Sequence, residues 1–442
     1  MVSAAERLAG NFDIGSIGKA TELKQRLWFV IGALVVARIG SYIPVPGIDA
    51  GVLAKEFANH AGGVLGMFNM FSGGALGRMS IFALAIMPYI TASIIFQLMT
   101  IMVPQIAALK KEGESGRRKI NQYTRYATVV LAFVQGYGIA VGLEHTSPEA
   151  IIDPGAFFRF TTAMTLLGGT MFLMWLGEQI TARGIGNGTS LIIFVGIVAG
   201  FPAAIANTLE LGRTGALPVE IILLIGLIAL GLIAFIVFIE RAQRRILVQY
   251  PKRQVGMKMM GGETSHLPLK LNMAGVIPVI FASSILSIPL TVAGFNQGSS
   301  SWWTTVASYI GHGQPLYIIL FTATITFFSF FYASIQFNSV ETADNLKKYG
   351  GFIAGIRPGK NTADYLDYIL TRLTVIGAIY LSFVCTVPEI LISAYKVPFY
   401  LGGTSLLIIV SVLMDFVTQV QSHLFAHQYE GLIKKSKLKG KK

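Results

Sequence analysis

The chain has 442 residues, 53% of them hydrophobic and only 13% charged, with a formal net charge of +13. Soluble domains carry about 25% charged residues, so this composition excludes an ordinary soluble globule and points to a polytopic membrane protein. The single cysteine, Cys385, lies in an apolar run and excludes a disulfide framework.

Residues 1–26 are a polar N-terminal segment whose first part is glycine-rich. It lacks the apolar core of a cleavable signal, so the first crossing is expected to act as the insertion signal. A helix needs ~20 mostly apolar residues to cross the hydrocarbon. Ten segments approach this: 27–43, 81–103, 126–143, 157–176, 191–206, 221–239, 273–293, 316–337, 373–392 and 401–420. An even number places both termini on one side. All but Arg38, Lys55, Arg78, Arg159, Arg213 and Lys396 of the 35 Lys and Arg fall in the N-terminal segment, in alternate loops or in the tail 421–442. The positive-inside rule then makes both termini cytoplasmic and explains much of the net charge without nucleic acid.

The stretch after the first crossing is unusual. Residues 64–76 are apolar but too short to span, and Gly62, Gly63, Gly73 and Gly74 flank them. Such runs are more often re-entrant than crossing. Irregular backbone at membrane depth survives only where protein or a water-filled cavity covers it, so a cavity open to the outer side is expected. Pro88 and Pro278 occupy corresponding places if the chain is two five-helix halves, which suggests an inverted repeat with a midline site. Two cytoplasmic loops, 241–270 and 338–372, are longer than orientation requires. Long basic loops are expected to meet lipid headgroups or a large acidic or nucleic-acid partner.

The sequence offers little catalytic chemistry. The glycine-rich stretch 184–188 follows a membrane helix rather than a strand, so it is expected to be a tight turn and not a nucleotide loop. No Walker loop, HExxH motif or cysteine cluster occurs, so no enzymatic activity, cofactor or metal site is expected. An ion-coupled solute transporter, the main alternative, needs ionisable groups in the membrane. Crossings two, seven and eight carry none, and Arg38 and Asp415 are the principal intramembrane charges. A membrane scaffold is the third reading.

Several motifs carry a more specific resemblance: FNMFSGGAL at 68–76, IMPYI at 86–90, KEGESGRRK at 111–119, GIGNG at 184–188, LPLK at 267–270, NMAGVIP at 272–278, ETADN at 341–345, GIRPG at 355–359 and PFYLGGTS at 398–405. From about residue 21 to the C-terminus the chain resembles the SecY/Sec61-alpha family, the channel subunits of Sec protein translocases.

The resemblance implies an all-α polytopic membrane protein of the bacterial inner membrane. Its ten transmembrane helices would form two pseudo-symmetric five-helix halves, 27–206 and 207–420, around an hourglass pore with a lateral gate. The re-entrant segment would be the plug, with Val64, Leu65, Met67, Phe68, Asn69, Met70, Phe71, Ser72, Gly73 and Gly74. The constriction ring maps to Ile86, Ile90, Thr189, Ile193, Ile280 and Ile408, where Thr189 departs from the family's Ile-like pattern. Gln97 and Asn272 lie at the implied lateral gate and are expected to hydrogen-bond across it. Arg244, Arg245, Lys252, Arg253 and Arg357 match positions that meet the SecA motor or the ribosome. The implied function is passage of unfolded polypeptide across the membrane and lateral release of transmembrane segments, with ATP hydrolysis supplied by SecA. Implied partners are SecE, SecG, SecA, the ribosome, signal sequences and nascent chains, the lipid bilayer, and also YidC and SecD/SecF.

Overall fold

The computed structural model describes residues 21–49, 51–53, 69, 72–146, 148–215, 218–250, 253–255, 258–260, 264–295, 314–395 and 402–439. Each of the ten apolar segments overlaps a helix. Seven described helices are long and apolar enough to cross a membrane, or eight if one sharply bent pair counts as a span. The described residues thus give seven or eight crossings by length and composition, against the ten expected.

The chain divides into two units. The first holds the described residues through Ile205, those from Thr291 to 295, and those from Val412 onward; the second holds Ala206–Leu290 and the described residues from 314 to Ser411.

In the first unit, α1 (Thr21–Gly40) buries Leu23, Val30, Ala33, Ala37 and Gly40 at helical spacing. It exposes Trp28, Ile31, Val35 and Ile39 on the remaining surface, as expected of a helix side facing lipid. Helix α2 (Met87–Met102) stops at Val103, and α3 (Pro104–Lys111) continues at an angle of 102°. Pro104 supplies no backbone donor and pushes Val103 into extended geometry (φ −107°, ψ 111°). Helices α4 (Glu114–Thr146) and α5 (Ala156–Arg183) form a hairpin. Arg125 forks onto Glu178 at 3.1 and 2.7 Å at one end. At the other end Arg159 Nε donates to Glu144 at 2.7 Å, and the Gly155 amide donates to the same carboxylate at 3.1 Å. The core of this unit collects Val45, Leu53, Leu76, Met79, Ala132 and Leu166 around the loop that follows α1.

A tight turn joins α5 to α6 (Gly188–Arg213). Gly186 has φ +90° and donates its amide to Gln419 Oε1 at 2.8 Å, while Asn187 Oδ1 accepts from Thr189 N at 3.1 Å. The glycine-rich stretch is therefore a helix-connecting turn, as the sequence indicates.

In the second unit, α7 (Val219–Arg241) leads into strands β1 (Gln243–Gln249), β2 (Arg253–Val255), β3 (Lys258–Met260) and β4 (Thr264–Lys270). Then follow α8 (Ile277–Phe295), α9 (Pro315–Gln336), α10 (Ser339–Lys348), β5 (Phe352–Ile353), α11 (Lys360–Tyr395) and α12 (Gly403–Lys439), whose later turns belong to the first unit. Phe281 of α8 meets Phe328 of α9 edge-on with centroids 5.5 Å apart. Thr322 and Thr386 hydrogen-bond between α9 and α11 at 3.3 Å.

The two long loops are not purely irregular. Strands β4, β1 and β5 form one antiparallel sheet in that order. An all-α reading omits this element. Pro268 sits on β4, an edge strand, where a missing amide is tolerated.

Candidate functional site

The second expected crossing does not begin as a helix at Ile81. Residues 72–86 are largely buried irregular backbone, and α2 starts only at Met87. This stretch is tied down locally. Ile81 N donates to Ile43 O and Val45 N donates to Met79 O, each at 2.9 Å. Met79 and Ala85 hold positive φ of 45° and 49°, which non-glycine residues rarely adopt. Such strain persists where surrounding contacts over-determine the backbone. The delayed helix start leaves Ile86 at the N-cap and Ile90 in the first turn, both buried.

Of the expected plug residues, Val64, Leu65, Met67, Phe68, Met70 and Phe71 lie outside the described residues. The others form a knot. Asn69 O accepts from Ser72 Oγ at 3.0 Å and from Gly74 N at 2.7 Å, and Asn69 Oδ1 accepts from Gly77 N at 2.7 Å. Gly73 and Gly74 have φ of +66° and +83°. Arg38 reaches this knot from α1, its Nη1 donating to Gly73 O at 2.8 Å.

The six residues of the expected ring lie near the starts of four helices. Ile86 and Ile90 begin α2; Thr189 and Ile193 lie in the first turns of α6; Ile280 lies in the first turn of α8 and Ile408 in the second turn of α12. Ile193 and Ile408 are buried, and Thr189 and Ile280 are half-buried. Pro88 and Pro278 are each the second residue of their helix, and Ile90 and Ile280 each follow two places later. Proline fits there because early helical amides have no intrahelical acceptor. Ile86, Ile90, Thr189 and Ile193 belong to the first unit, Ile280 and Ile408 to the second.

In the second unit the sheet joins the two basic loops. Arg244 and Arg245 on β1 are exposed, while Ile246 and Val248 point inward. Strand β5, from the other loop, pairs through Val248↔Ile353 and Gln249↔Phe352. Beneath lie Leu269, Leu366, Ile369, Leu370 and Leu373, so the early turns of α11 form the sheet's support. Arg357 follows β5 and is exposed, and its carbonyl accepts from Thr362 Oγ1 at 2.9 Å. One packed element therefore displays basic residues from both loops. Lys252 lies outside the described residues, and Arg253 lies on β2.

A SecY family model matches residues 80–417. Over 427 residues the chain is 58% identical to the protein translocase subunit SecY of Escherichia coli K12, covering 96% of each chain. The chain belongs to the SecY family. Among solved structures it resembles a protein-conducting channel, with a TM-score of 0.65 at 19% identity over 90% of this chain and 92% of that one. It also resembles Sec61 in the canine ribosome–channel complex, with a TM-score of 0.62 at 17% identity over 90% and 92%. Both likenesses concern the fold. With its several long apolar helices, this SecY-family chain is a multi-pass membrane protein.

The two expected gate residues of this SecY-family chain behave differently. Asn272 is 3% exposed. Its Nδ2 donates to Glu240 Oε1 at 2.8 Å and to Gly275 O at 3.1 Å, and its Oδ1 accepts from Gly275 N at 3.2 Å. Both amide hydrogens are thus used inside its own unit, tying the end of α7 to the approach of α8. Gln97 Nε2 makes only a long contact of 3.5 Å to Ser93 Oγ, and its Oε1 is buried with no partner among the described residues. Sequence reading missed Tyr42 and Arg78, which accompany Arg38 at the glycine knot. The available signal was that Arg38 and Arg78 fall outside the basic clusters of the alternate loops.

Proposed function

We propose that this chain is the protein-conducting channel subunit of a bacterial Sec translocase, passing unfolded polypeptides across the inner membrane and releasing transmembrane segments sideways into the lipid. The observation that carries this reading is the 58% identity, over 96% of both chains, to a protein translocase subunit SecY. Ten crossings in two five-helix halves, with both termini cytoplasmic, complete the topology. Residues 64–76 serve as the plug. Ile86, Ile90, Thr189, Ile193, Ile280 and Ile408 form the constriction, and their placement near helix starts supports this. Branched apolar side chains around a narrow neck exclude ions by dewetting. They offer no sequence-specific hydrogen bonds, so many different chains can pass. Thr189 adds a hydroxyl to that lining.

Energy comes from outside the subunit. Arg244, Arg245, Lys252, Arg253 and Arg357 form a platform for SecA, which hydrolyses ATP, or for the ribosome with its phosphate backbone. The shared sheet supports this, because force applied to either loop reaches α11 through one packed core. SecE and SecG complete the heterotrimer; YidC and SecD/SecF are further partners.

The test is reconstitution with SecE and SecG in proteoliposomes. Added SecA and ATP should move a secretory precursor into a protease-protected state. Arg357→Glu should abolish that transport while the subunit still inserts and assembles. Normal ATP-driven transport by the Arg357→Glu variant would remove the platform role. Absence of transport by the parent complex would overturn the channel reading.

A further inference from the structure

The link between α5 and α6 is four residues long, and glycine fills every second place from Gly184 to Gly188. Close approach requires them. A Cβ on Gly184 would stand 2.6 Å from Val30 Cγ2 of α1, and one on Gly188 would collide with the carbonyl of Gly177. Glycine also leaves the link with little conformational preference of its own. Side chains set its shape instead. Gly188 N donates to Thr181 Oγ1 at 2.9 Å, and Thr189 N donates to Asn187 Oδ1 at 3.1 Å. These bonds serve early amides of α6, which have no intrahelical acceptor.

A further tie reaches beyond this helix pair. Gly186 N, at φ +90°, donates to Gln419 Oε1 of α12 at 2.8 Å, across 233 residues of sequence. Beside it Ile185 is buried against Leu23 of α1 and against Val420 and Leu424 of α12. Ile185 supplies packing, and Gln419 supplies a fixed point. Gln419 is exposed and Gly186 half-buried, so water could serve the same amide. The bond is therefore not needed to rescue an orphan donor, and its distinctive effect is on position. Thr189 lies three residues beyond Gly186 and Ile193 one helical turn further, on a helix already formed from Gly188. A shift of the turn passes to both with only Asn187 between.

We propose that Gln419 is a positioning residue for the constriction: by holding the Gly186 turn to α12, it fixes where α6 starts and so where Thr189 and Ile193 stand. This rests on the constriction reading given above. A ring of branched apolar side chains excludes ions only while its members keep their places, because dewetting needs a narrow neck. Exchanging the side-chain acceptor for mobile water leaves the Gly186 amide satisfied but frees the turn. Loss of one neutral hydrogen bond shifts such an equilibrium about threefold to tenfold.

The experiment uses the full heterotrimer in bilayers, with a precursor stalled in transit by a folded C-terminal domain, and reads the ion conductance around the stalled chain. Gln419→Met keeps the length and helix propensity of the side chain but removes its strong acceptor. It should raise that conductance about threefold or more. Gln419→Glu keeps an acceptor and should stay within about twofold of the parent, a margin set by the like charge of Asp415 one turn earlier. Ile193→Ala widens the neck directly and should leak by itself. Adding Gln419→Met to it should raise conductance little further, because both changes act on one element. A merely structural role would lower the thermal midpoint of the complex without raising conductance around the chain. Parental conductance in Gln419→Met, an equal leak in Gln419→Glu, or full additivity with Ile193→Ala would overturn the proposal. Should Gln419→Met fail to assemble, Gln419→Ala decides by the same comparisons. If Ile193→Ala leaks while Gln419→Met stays tight, only the positioning role fails; if Ile193→Ala also stays tight, the constriction reading fails with it.

Discussion

Replacing Asn272 with alanine removes three hydrogen bonds from a site only 3% exposed. The bond to Glu240 Oε1 is charge-assisted and worth about 1.5–3 kcal/mol; the two to Gly275 are worth about 1 kcal/mol each. The truncation also leaves the Gly275 amide without its acceptor and removes one partner from the Glu240 carboxylate. The expected loss is about 3–5 kcal/mol, reduced where water enters the space left by the amide. The affected bonds tie the end of α7 to the turn before α8, so the start of α8, which carries Ile280, should lose definition. In the detergent-purified complex the thermal midpoint, followed by tryptophan fluorescence, should fall by about 5 °C or more. Asn272→Asp should be no better, because it sets a second carboxylate against Glu240. A midpoint within 1 °C of the parent for Asn272→Ala, against the ~2–4 °C expected per kcal/mol in domains of about 150–250 residues, would refute the reasoning. Asn272 would then act through gating rather than as the tie between α7 and α8.

Gln97→Leu should behave in the opposite way. Among the described residues its side chain makes one long contact and its carbonyl oxygen is buried without a partner, so stability should hold or rise by up to about 1 kcal/mol; an altered resting conductance would identify it as a gate residue, and an unchanged one would exclude that role. Ile246→Ala empties part of the core beneath the sheet and should cost about 2–5 kcal/mol, seen as faster tryptic cleavage within 241–270 while the membrane helices stay protected. Gly403→Ala places a methyl group against the backbone of Val384 and Cys385. It should cost about 1–3 kcal/mol through overpacking, measured as a lower midpoint; an unchanged midpoint would show that α11 and α12 separate freely.

Hydropathy locates the helices because lipid contact requires long apolar surfaces, and every apolar segment read from the sequence carries one. It misplaces the start of α2 because it cannot register backbone conformation. Residues 81–86 are as apolar as a helix, yet Ala85 at φ +49° interrupts any helical path and Pro88 favours a fresh start after it. The sheet was hidden for another reason. Strand β1 reads QRRILVQ, with only Ile246 and Val248 marking its inner face, and its partner β5 lies about a hundred residues later. Two inward residues are too weak a period to read, and non-local pairing leaves no local trace. Nor could the sequence show which acceptors Asn272 uses, since Glu240 lies 32 residues away.

The exceptions to the charge pattern proved as informative as the pattern itself. Basic residues clustered in alternate loops need no partner, because orientation and solvent account for them. A cation outside those clusters has no such account, so each requires a local one. Arg159 is forked onto Glu144. Arg213 stands in the last turn of α6, where a positive charge complements the helix dipole. Arg38 and Arg78 converge on Tyr42 and the Gly73–Gly74 knot. All four described exceptions thus have a structural reason, and the last pair joins α1 to the irregular stretch before α2. Arg38 bonds locally, to Tyr42 Oη four residues on, and also to a backbone carbonyl 35 residues away. A contact of that kind costs more to keep than a local one, since it orders two distant stretches of chain. Arg38 therefore fastens the Gly73–Gly74 turn to the end of α1, a tie that the helix by itself does not need.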